Sequence, residues 1–345
     1  MRYYGNKTKL LDFIYEAAIE LDVSEKKSFF DVFTGTTAVG QHFKKAGYSV
    51  IANDWLYFSY ALATTYIALN GEPQFKDVCA SLKIKHEELF DYLNHLETTA
   101  DFITRNYTPY ESNPRQYFSV ENGRRIDSIR ITINNWRDRG LISETESCYL
   151  IAALLAAINR VSNISGTYGS YLKTWDPRAL KTLSLEHPKV IKSTRKHLAL
   201  NADAYEVVDK FNVDILYIDP PYNSRQYASN YFLPELIAEG WFGKTLPKIY
   251  GHTGMRPYEH QKSAFAMTNK AATALQHLIG KAKARYIFLS YNNEGIIPED
   301  QILQILSKKG KVTIKSFEHK RYRSIGQDGT KVKTIEYLYV VKTGE

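Results

Sequence analysis

Between residues 28 and 54 the chain changes texture in a fixed order. An apolar run, SFFDVF, leads into the turn TGTTAVG, an amphipathic stretch QHFKKAG and a second apolar run, YSVIAND. Short apolar runs bounded by turn residues read as buried strands, and a helical stretch between two of them makes a βαβ unit. Such a unit requires a parallel sheet flanked by helices. Residues 55–70 then carry apolar side chains at helical spacing until Gly71 and Pro73 end the pattern. After Pro188 the strand texture returns in KHLALNAD, VDILYID and ARYIFLSYNN. The last segment holds two β-rich runs, KVTIKSFEHKRYRS and KVKTIEYLYVVK, about a turn with Asp328 and Gly329, the pattern of an antiparallel hairpin. The predicted fold class is α/β, a mostly parallel sheet closed by a C-terminal antiparallel hairpin.

Residues 74–187 interrupt this scheme with charged helical segments and polar loops, among them Arg105, Arg115, Arg124, Arg125, Arg130, Arg137 and Arg139. Within it ESCYLIAALLAAINRVSN reads as a buried helix, followed by the Gly- and Tyr-rich loop ISGTYGSYLKTWDPRA. The expectation is a mainly helical insertion over 74–187, with 1–73 and 188–345 forming one discontinuous domain.

Composition narrows the classes. At 345 residues and 44% hydrophobic content the chain can bury a sizeable core. No run of roughly 18 or more apolar residues stands out, and the first residues lack an apolar stretch behind a basic start, so an unexported, cytoplasmic protein is expected. Cys79 and Cys148 are the two cysteines, far apart, which suggests neither a disulfide framework nor a zinc site. A formal net charge of +8 favours a polyanionic partner such as nucleic acid, although a basic solvated face explains the same number. The 26 tyrosines suit base stacking and suit strand faces equally well.

The most specific chemistry lies in DILYIDPPYNSRQY, residues 214–227. Residues 215–218 read as a buried strand, and a Pro-Pro pair cannot continue a strand interior. Asp219, Pro220, Pro221 and Tyr222 therefore fall just past the carboxyl end of a parallel strand, where open α/β sheets bind ligands. An exocyclic base amine is a poor nucleophile because its lone pair is delocalised into the ring. The Asp219 carboxylate and the Pro220 carbonyl can each accept one of its hydrogens, which favours the pyramidal amine, while Tyr222 offers a flat face to a base turned out of its duplex. The glycine turn at Gly35 permits a close backbone approach, and Asp54 at the end of the second strand can accept from ribose hydroxyls or cap the helix that follows.

On these residues the chain resembles the S-adenosylmethionine-dependent amino-methyltransferases of DNA, specifically the adenine-N6 enzymes of the Dam-like D12, or class α, group. RYYGNKTKL resembles their N-terminal motif, FFDVFTGTTAVG the methionine-binding turn, NDW the acidic second-strand motif, LNAD the third-strand motif and DPPYNSRQY the catalytic motif. DPPYNSRQYASNYFLPELIA is similar to methylases partnered with restriction enzymes, including the FokI-like and CATG-recognising ones. The resemblance implies a Rossmann-like methyltransferase sheet with an inserted target-recognition domain, and S-adenosyl-L-methionine as methyl donor with no metal. It places Tyr3, Lys7, Asp31, Phe33, Gly35, Asp54, Asp203 and Asp219 around the cofactor, with Asp219 to Tyr222 holding the target base. Thr37 stands where the family usually has a second glycine, while Phe33, Gly35 and Gly40 keep the pattern.

In Dam-like enzymes a helix and loop between these motifs enter DNA. By that similarity Arg160, Asn163, Tyr168, Tyr171 and Lys173 are candidates for base or phosphate contact, each with a solvated or structural role as its bland alternative. Arg225, in the loop after the catalytic corner, and Tyr322, on the first arm of the hairpin, join them. A charged hairpin edge that discourages aggregation accounts for the latter too. The expected function is methyl transfer to adenine N6 in a specific duplex DNA sequence by direct attack of a flipped base, in the modification enzyme of a type II restriction-modification system. Double-stranded DNA is the expected partner, a cognate restriction endonuclease a further one, and the chain a monomer. Two alternatives stay open: cytosine-N4 or RNA adenine methylation, and a DNA-binding protein whose cofactor site has decayed.

Overall fold

The computed structural model describes residues 7–23, 25, 27–325 and 331–344, apart from the side chains of 319–325 and 331–334. The chain divides into two compact units: a sheet unit of Asn6–Trp55, Ser193–Tyr227 and Gln261–Glu345, and a helical unit whose main segments are Leu56–Lys192 and Ala228–His260.

In the sheet unit the strands are β1 (Ser28–Asp31), β2 (Ser49–Asp54), β3 (Leu198–Asn201), β4 (Val213–Ile218), β5 (Ala284–Asn292), β6 (Gly310–Ile325) and β7 (Lys331–Thr343). They lie in the order β3-β2-β1-β4-β5-β7-β6, parallel from β3 through β5, with β7 antiparallel to both β5 and β6. The chain leaves β1 for β2 on one side, and β4 lies on the other, so the order reverses between β1 and β4. Their carboxyl ends form the crevice where such sheets bind ligands.

All six residues of β4 are buried, which shows the strand covered on both faces and explains its continuous apolar run. The one acid within it, Asp214, accepts hydrogen bonds from the Ser28 amide (2.8 Å) and hydroxyl (2.7 Å), so this buried carboxylate ties β4 to β1. Phe29 of β1 stacks on Phe43 of the helix Ala38–Lys45, with ring centroids 3.8 Å apart, fixing that helix against the strands it connects. The antiparallel C-terminal hairpin expected from the sequence is present, and the turn at 326–330 lies outside the described residues.

The helical unit begins at Leu56, where the sequence reading begins the insertion at 74, and takes in Ala228–His260 as well. The reason is packing. The helix Phe232–Glu239 is buried over seven of its eight residues, and Glu235 within it accepts hydrogen bonds from the Tyr57 (2.9 Å) and Phe58 (2.8 Å) amides. Those are orphan donors at the start of the helix Tyr57–Ala63, so the two helices cap and bury one another. Two long helices, Val120–Asp138 and Glu144–Val161, belong to the same unit. The second begins with a capping box between Ser143 and Glu146 and is buried nearly all round, as its composition predicts. Arg130 does not belong to a solvated basic face: it is fully buried and donates to the carbonyls of Ile237 (2.7 Å), Ala238 (3.0 Å) and Glu239 (3.2 Å) at the end of the helix Phe232–Glu239. Among the described residues no helix is long and apolar enough to cross a membrane.

Candidate active site

The turn after β1 is held from both neighbouring strands. The Val32 amide donates to the Tyr217 carbonyl of β4 (3.1 Å) and the Thr34 amide to the Asn53 carbonyl of β2 (2.9 Å). The Gly35 amide, with φ of +49°, donates to Asp54 Oδ2 at 2.9 Å. One oxygen of Asp54 thus holds the turn. Thr37 adopts φ of +66°, the left-handed region that glycine takes freely and a β-branched residue rarely does. Its hydroxyl donates to the Thr36 carbonyl (2.6 Å) and accepts from Gln41 Nε2 (2.8 Å). The backbone here therefore has the shape a glycine would have, kept in a strained residue by two local hydrogen bonds.

Among the described residues, one acceptor on β1 and one on β2 in this crevice lack hydrogen-bond partners. Asp31 ends β1 with 2% of its surface exposed; its Oδ2 accepts from the Thr34 hydroxyl (3.2 Å), while its Oδ1 has no hydrogen bond. Asn53 donates to the Val32 and Ala202 carbonyls, and its buried Oδ1 is likewise unpaired. Burial first, then the charges of Asp219 and Asp54, push the Asp31 carboxyl up to about 8. Buried acceptors without donors are costly, and where a sheet binds ligands they point to a donor supplied from outside.

Asp219, Pro220, Pro221 and Tyr222 follow β4, as expected. Lys7 reaches them, its ammonium 3.3 Å from Asp219 Oδ1, 3.1 Å from Glu336 Oε2 and 5.4 Å from the centroid of the Tyr222 ring. Burial opposes the charge of Lys7, but the two carboxylates outweigh it and hold the ammonium above its usual range. Asp219 is pushed up to about 6 by burial, against the pull of Lys7 and with the help of Glu336. Tyr222 is pinned by its carbonyl, which accepts from the Ile296 amide (3.0 Å), and its ring stands edge-on to Tyr291 with centroids 6.3 Å apart. Sequence reasoning missed Glu336. The available signal was one acid in the apolar run TIEYLYVV, at the same strand parity as the buried Leu338 and Val340.

The remaining candidates divide. Phe33 lies edge-on to Phe265, centroids 5.2 Å apart, beside the turn. Asp203 accepts from the Tyr205 amide (2.9 Å) and so caps a short helical turn after β3. Tyr3 and the side chain of Tyr322 lie outside the described residues. In the helical unit the side chains of Asn163 and Tyr168, expected at DNA, are wholly buried. Asn163 donates to the Gln116 (3.1 Å) and Leu172 (3.0 Å) carbonyls and accepts from the Asp176 amide (2.9 Å); the Tyr168 hydroxyl lies 2.8 Å from that of Ser162. They shape the loop from within. Lys173 is exposed, Arg160 is 42% exposed beside the Ser184 carbonyl and Glu186, and the Tyr171 hydroxyl meets His252 Nε2 at 2.7 Å. Arg225 is exposed in the sheet unit and is not grouped with them.

His252 belongs to an exposed turn that sequence reasoning also missed. Arg115 donates to the carbonyls of Gly251 and His252, both at 3.0 Å, and the buried Tyr107 hydroxyl donates to that of Gly254 at 2.8 Å. Tyr250, bridged to Met255, is 53% exposed on it.

A family model described as D12 class N6 adenine-specific DNA methyltransferase matches residues 3–305. The chain is 44% identical over 313 residues to the type II methyltransferase M.FokI of Planomicrobium okeanokoites, covering 90% of this chain and 47% of that protein. It is 37% identical over 328 residues to the modification methylase StsI of Streptococcus sanguinis, covering 94% and 49%. It is 35% identical over 352 residues to the type II methyltransferase M.NlaIII of Neisseria lactamica, covering 99% of each. The chain spans about half the length of M.FokI and StsI, and nearly all of M.NlaIII. With the acidic crevice between β1 and β4, the corner after β4 and a family match running from before the first strand to beyond the fifth, the chain belongs to the D12 class of N6 adenine-specific DNA methyltransferases.

Proposed function

We propose that this chain methylates adenine N6 in a specific sequence of duplex DNA, with S-adenosyl-L-methionine as donor, as the modification enzyme of a type II restriction-modification system. The observation that carries the reading is the Asp-Pro-Pro-Tyr corner at the end of β4, beside a crevice in which, among the described residues, the buried Oδ1 atoms of Asp31 and Asn53 have no donor. The crevice fits that cofactor. Asp31, Asp54 and Asp219 gather there with Lys7 paired to Asp219 and to Glu336, an excess of negative charge suited to a ligand bearing an ammonium and a sulfonium. When bound, the cofactor supplies a methyl group on a positively charged sulfur. Asp31 and the turn at Gly35 hold its methionine end, and Asp54 its ribose. Asp219 and the Pro220 carbonyl accept the two amine hydrogens of the target base, which orients the nitrogen lone pair, and Tyr222 stacks on the ring. On receiving the methyl group the amine nitrogen would become cationic, and Asp219 is the group placed to take its proton. The restriction-modification role, and a nuclease partner with it, rests on the names of M.FokI, StsI and M.NlaIII. For DNA contact we retain Arg160, Tyr171, Lys173 and Arg225 and add the braced turn at Tyr250.

The test is transfer of labelled methyl to unmethylated duplex DNA and to RNA, followed by digestion to nucleosides. Label in N6-methyldeoxyadenosine is the expected result; label in N4-methyldeoxycytidine, or in RNA alone, would overturn it.

Two further outcomes follow. A cation beside Asp31 favours its ionised form, so cofactor binding at pH 7 is expected to release up to about one proton and to tighten toward pH 8, by at most about tenfold per pH unit. Calorimetry in buffers of different ionisation enthalpy checks this, and Asp31→Asn is expected to lose that part of the linkage. An affinity equally independent of pH in both proteins would contradict the role of Asp31. Thr37→Gly is expected to keep cofactor affinity within about threefold, because the turn already has a glycine-like backbone. A gain of about tenfold or more would show that the threonine side chain obstructs the cofactor.

A further inference from the structure

We propose that Glu336 is a positioning residue of the methyl-transfer site: by taking the hydrogen bond of Lys7, it leaves the Asp219 carboxylate free to receive the target amine. The proposal rests on the function proposed above and concerns a residue beyond the span that the family model matches.

The geometry is asymmetric. Lys7, 5% exposed, donates a hydrogen bond to Glu336 Oε2 at 3.1 Å. Its ammonium is also 3.3 Å from Asp219 Oδ1, a longer contact, and among the described residues that buried oxygen has no partner in hydrogen-bond geometry. Asp219 therefore receives charge from Lys7 and keeps an empty acceptor. Without Glu336 the ammonium would retain a single counter-ion among these groups, and a buried ammonium with one carboxylate closes onto it. That closure would occupy the oxygen the amine needs.

Glu336 is delivered by β7, the strand next to the edge of the sheet. In β7 it is registered with Asn292 of β5 and Phe317 of β6. Beside it the Ile335 amide donates to Asn293 Oδ1 (3.0 Å) and the Asn293 amide to the Ile335 carbonyl (3.1 Å), which fixes β7 at that point. An acid 7% exposed on the inner face of a strand is costly unless it is paired, and Lys7 is the pairing cation. On this view the antiparallel hairpin does more than extend the sheet. It brings to the catalytic corner a residue 329 positions from its lysine partner.

Among the described residues, the groups that feel the charge of Glu336 are Lys7, Asp219 and Tyr217, with Asp219 acting in turn on Asp31. Its negative charge disfavours ionisation of Asp219, so removing the charge makes Asp219 ionise at lower pH.

The experiment uses the full chain, its Glu336→Gln and Glu336→Asp variants, and duplex DNA. Glu336→Gln is expected to lower kcat about 10- to 100-fold, to change cofactor Kd less than about threefold, and to move the acid limb of the kcat profile to lower pH. Glu336→Asp, which keeps the charge, is expected to recover part of the rate. In parallel, the carboxyl carbon of Asp219 is titrated by NMR in selectively labelled protein, assigned with Asp219→Asn. Its midpoint is expected to fall in Glu336→Gln. An unchanged midpoint, or a kcat within about twofold of the parent, would overturn the proposal. A lowered midpoint in a protein whose parent transfers no methyl group would uphold the sharing of Lys7 and reject the proposed function instead.

Discussion

Replacing Asp219 with alanine is expected to lower kcat for methyl transfer by about 100- to 1000-fold, the usual effect of deleting one preorganised contact to the reacting group. Cofactor affinity is expected to change by less than about tenfold, since Asp31, Asp54 and the turn remain. The fold is expected to stand, because Lys7 keeps Glu336 as its hydrogen-bonded counter-ion. The stability effect has a definite sign. Asp219 is held up to about 6, above the ordinary range of an aspartate, so its contribution to stability is fully present below the unfolded value near 4 and is lost as pH rises through about 6. At pH 8 the native protein carries a buried, ionised carboxylate that it would be more stable without. The melting midpoint of Asp219→Ala at pH 8 is therefore expected to equal or exceed that of the parent, while at pH 5 any advantage shrinks. Loss of activity together with a much lower midpoint at pH 8 would mean that Asp219 serves the fold rather than the reaction.

Arg130→Ala is expected to have the largest effect on stability, about 3–5 kcal/mol. The guanidinium is fully buried, and burial lowers it only to about 10, so it stays charged near neutrality while donating to three carbonyls at one helix end. Its plane also faces the Phe242 ring at 5.0 Å. Truncation leaves those carbonyls without their donor and opens a cavity beside Phe242. It weakens the same helix whose Glu235 caps Tyr57 and Phe58. At ~2–4 °C per kcal/mol this is a fall in melting midpoint of roughly 6–20 °C. Arg130→Lys, which offers one ammonium in place of a planar fork, is expected to recover less than half of the loss. A midpoint within about 2 °C of the parent would show that water replaces the guanidinium at the helix end.

These two residues mark what the sequence made legible. Asp219 could be found because Pro220 and Pro221 cannot continue the buried strand before them, so four residues are placed at a sheet edge by backbone constraint alone. The parallel strands were legible for a similar reason: β4 is buried on both faces and shows no alternation that a helix could share. Arg130 was not legible. An arginine in a helix with six others nearby in sequence looks the same whether it faces solvent or the carbonyls of a helix more than a hundred residues on. The burial of Asn163 and Tyr168 was illegible for the converse reason, since a polar loop after an apolar helix suggests an outward face, whereas Asn163 bonds the backbone of Gln116, Leu172 and Asp176 and the Tyr168 hydroxyl meets that of Ser162. Glu336 depended on strand order, and the placement of β7 between β5 and β6 is a long-range fact that local pattern does not carry. The pairing of the helices Tyr57–Ala63 and Phe232–Glu239 was not legible either, because each shows in sequence only that it has an apolar face.

The most direct test of the proposed function is base-resolved sequencing for modified bases in DNA from a methylase-free host expressing this chain, beside the same host expressing Asp219→Ala. The expected result is N6-methyladenine at nearly every copy of one short sequence in the first sample and at none in the second. Unmodified DNA from a host that makes the folded protein, or a modified base that persists in the Asp219→Ala sample, would contradict it.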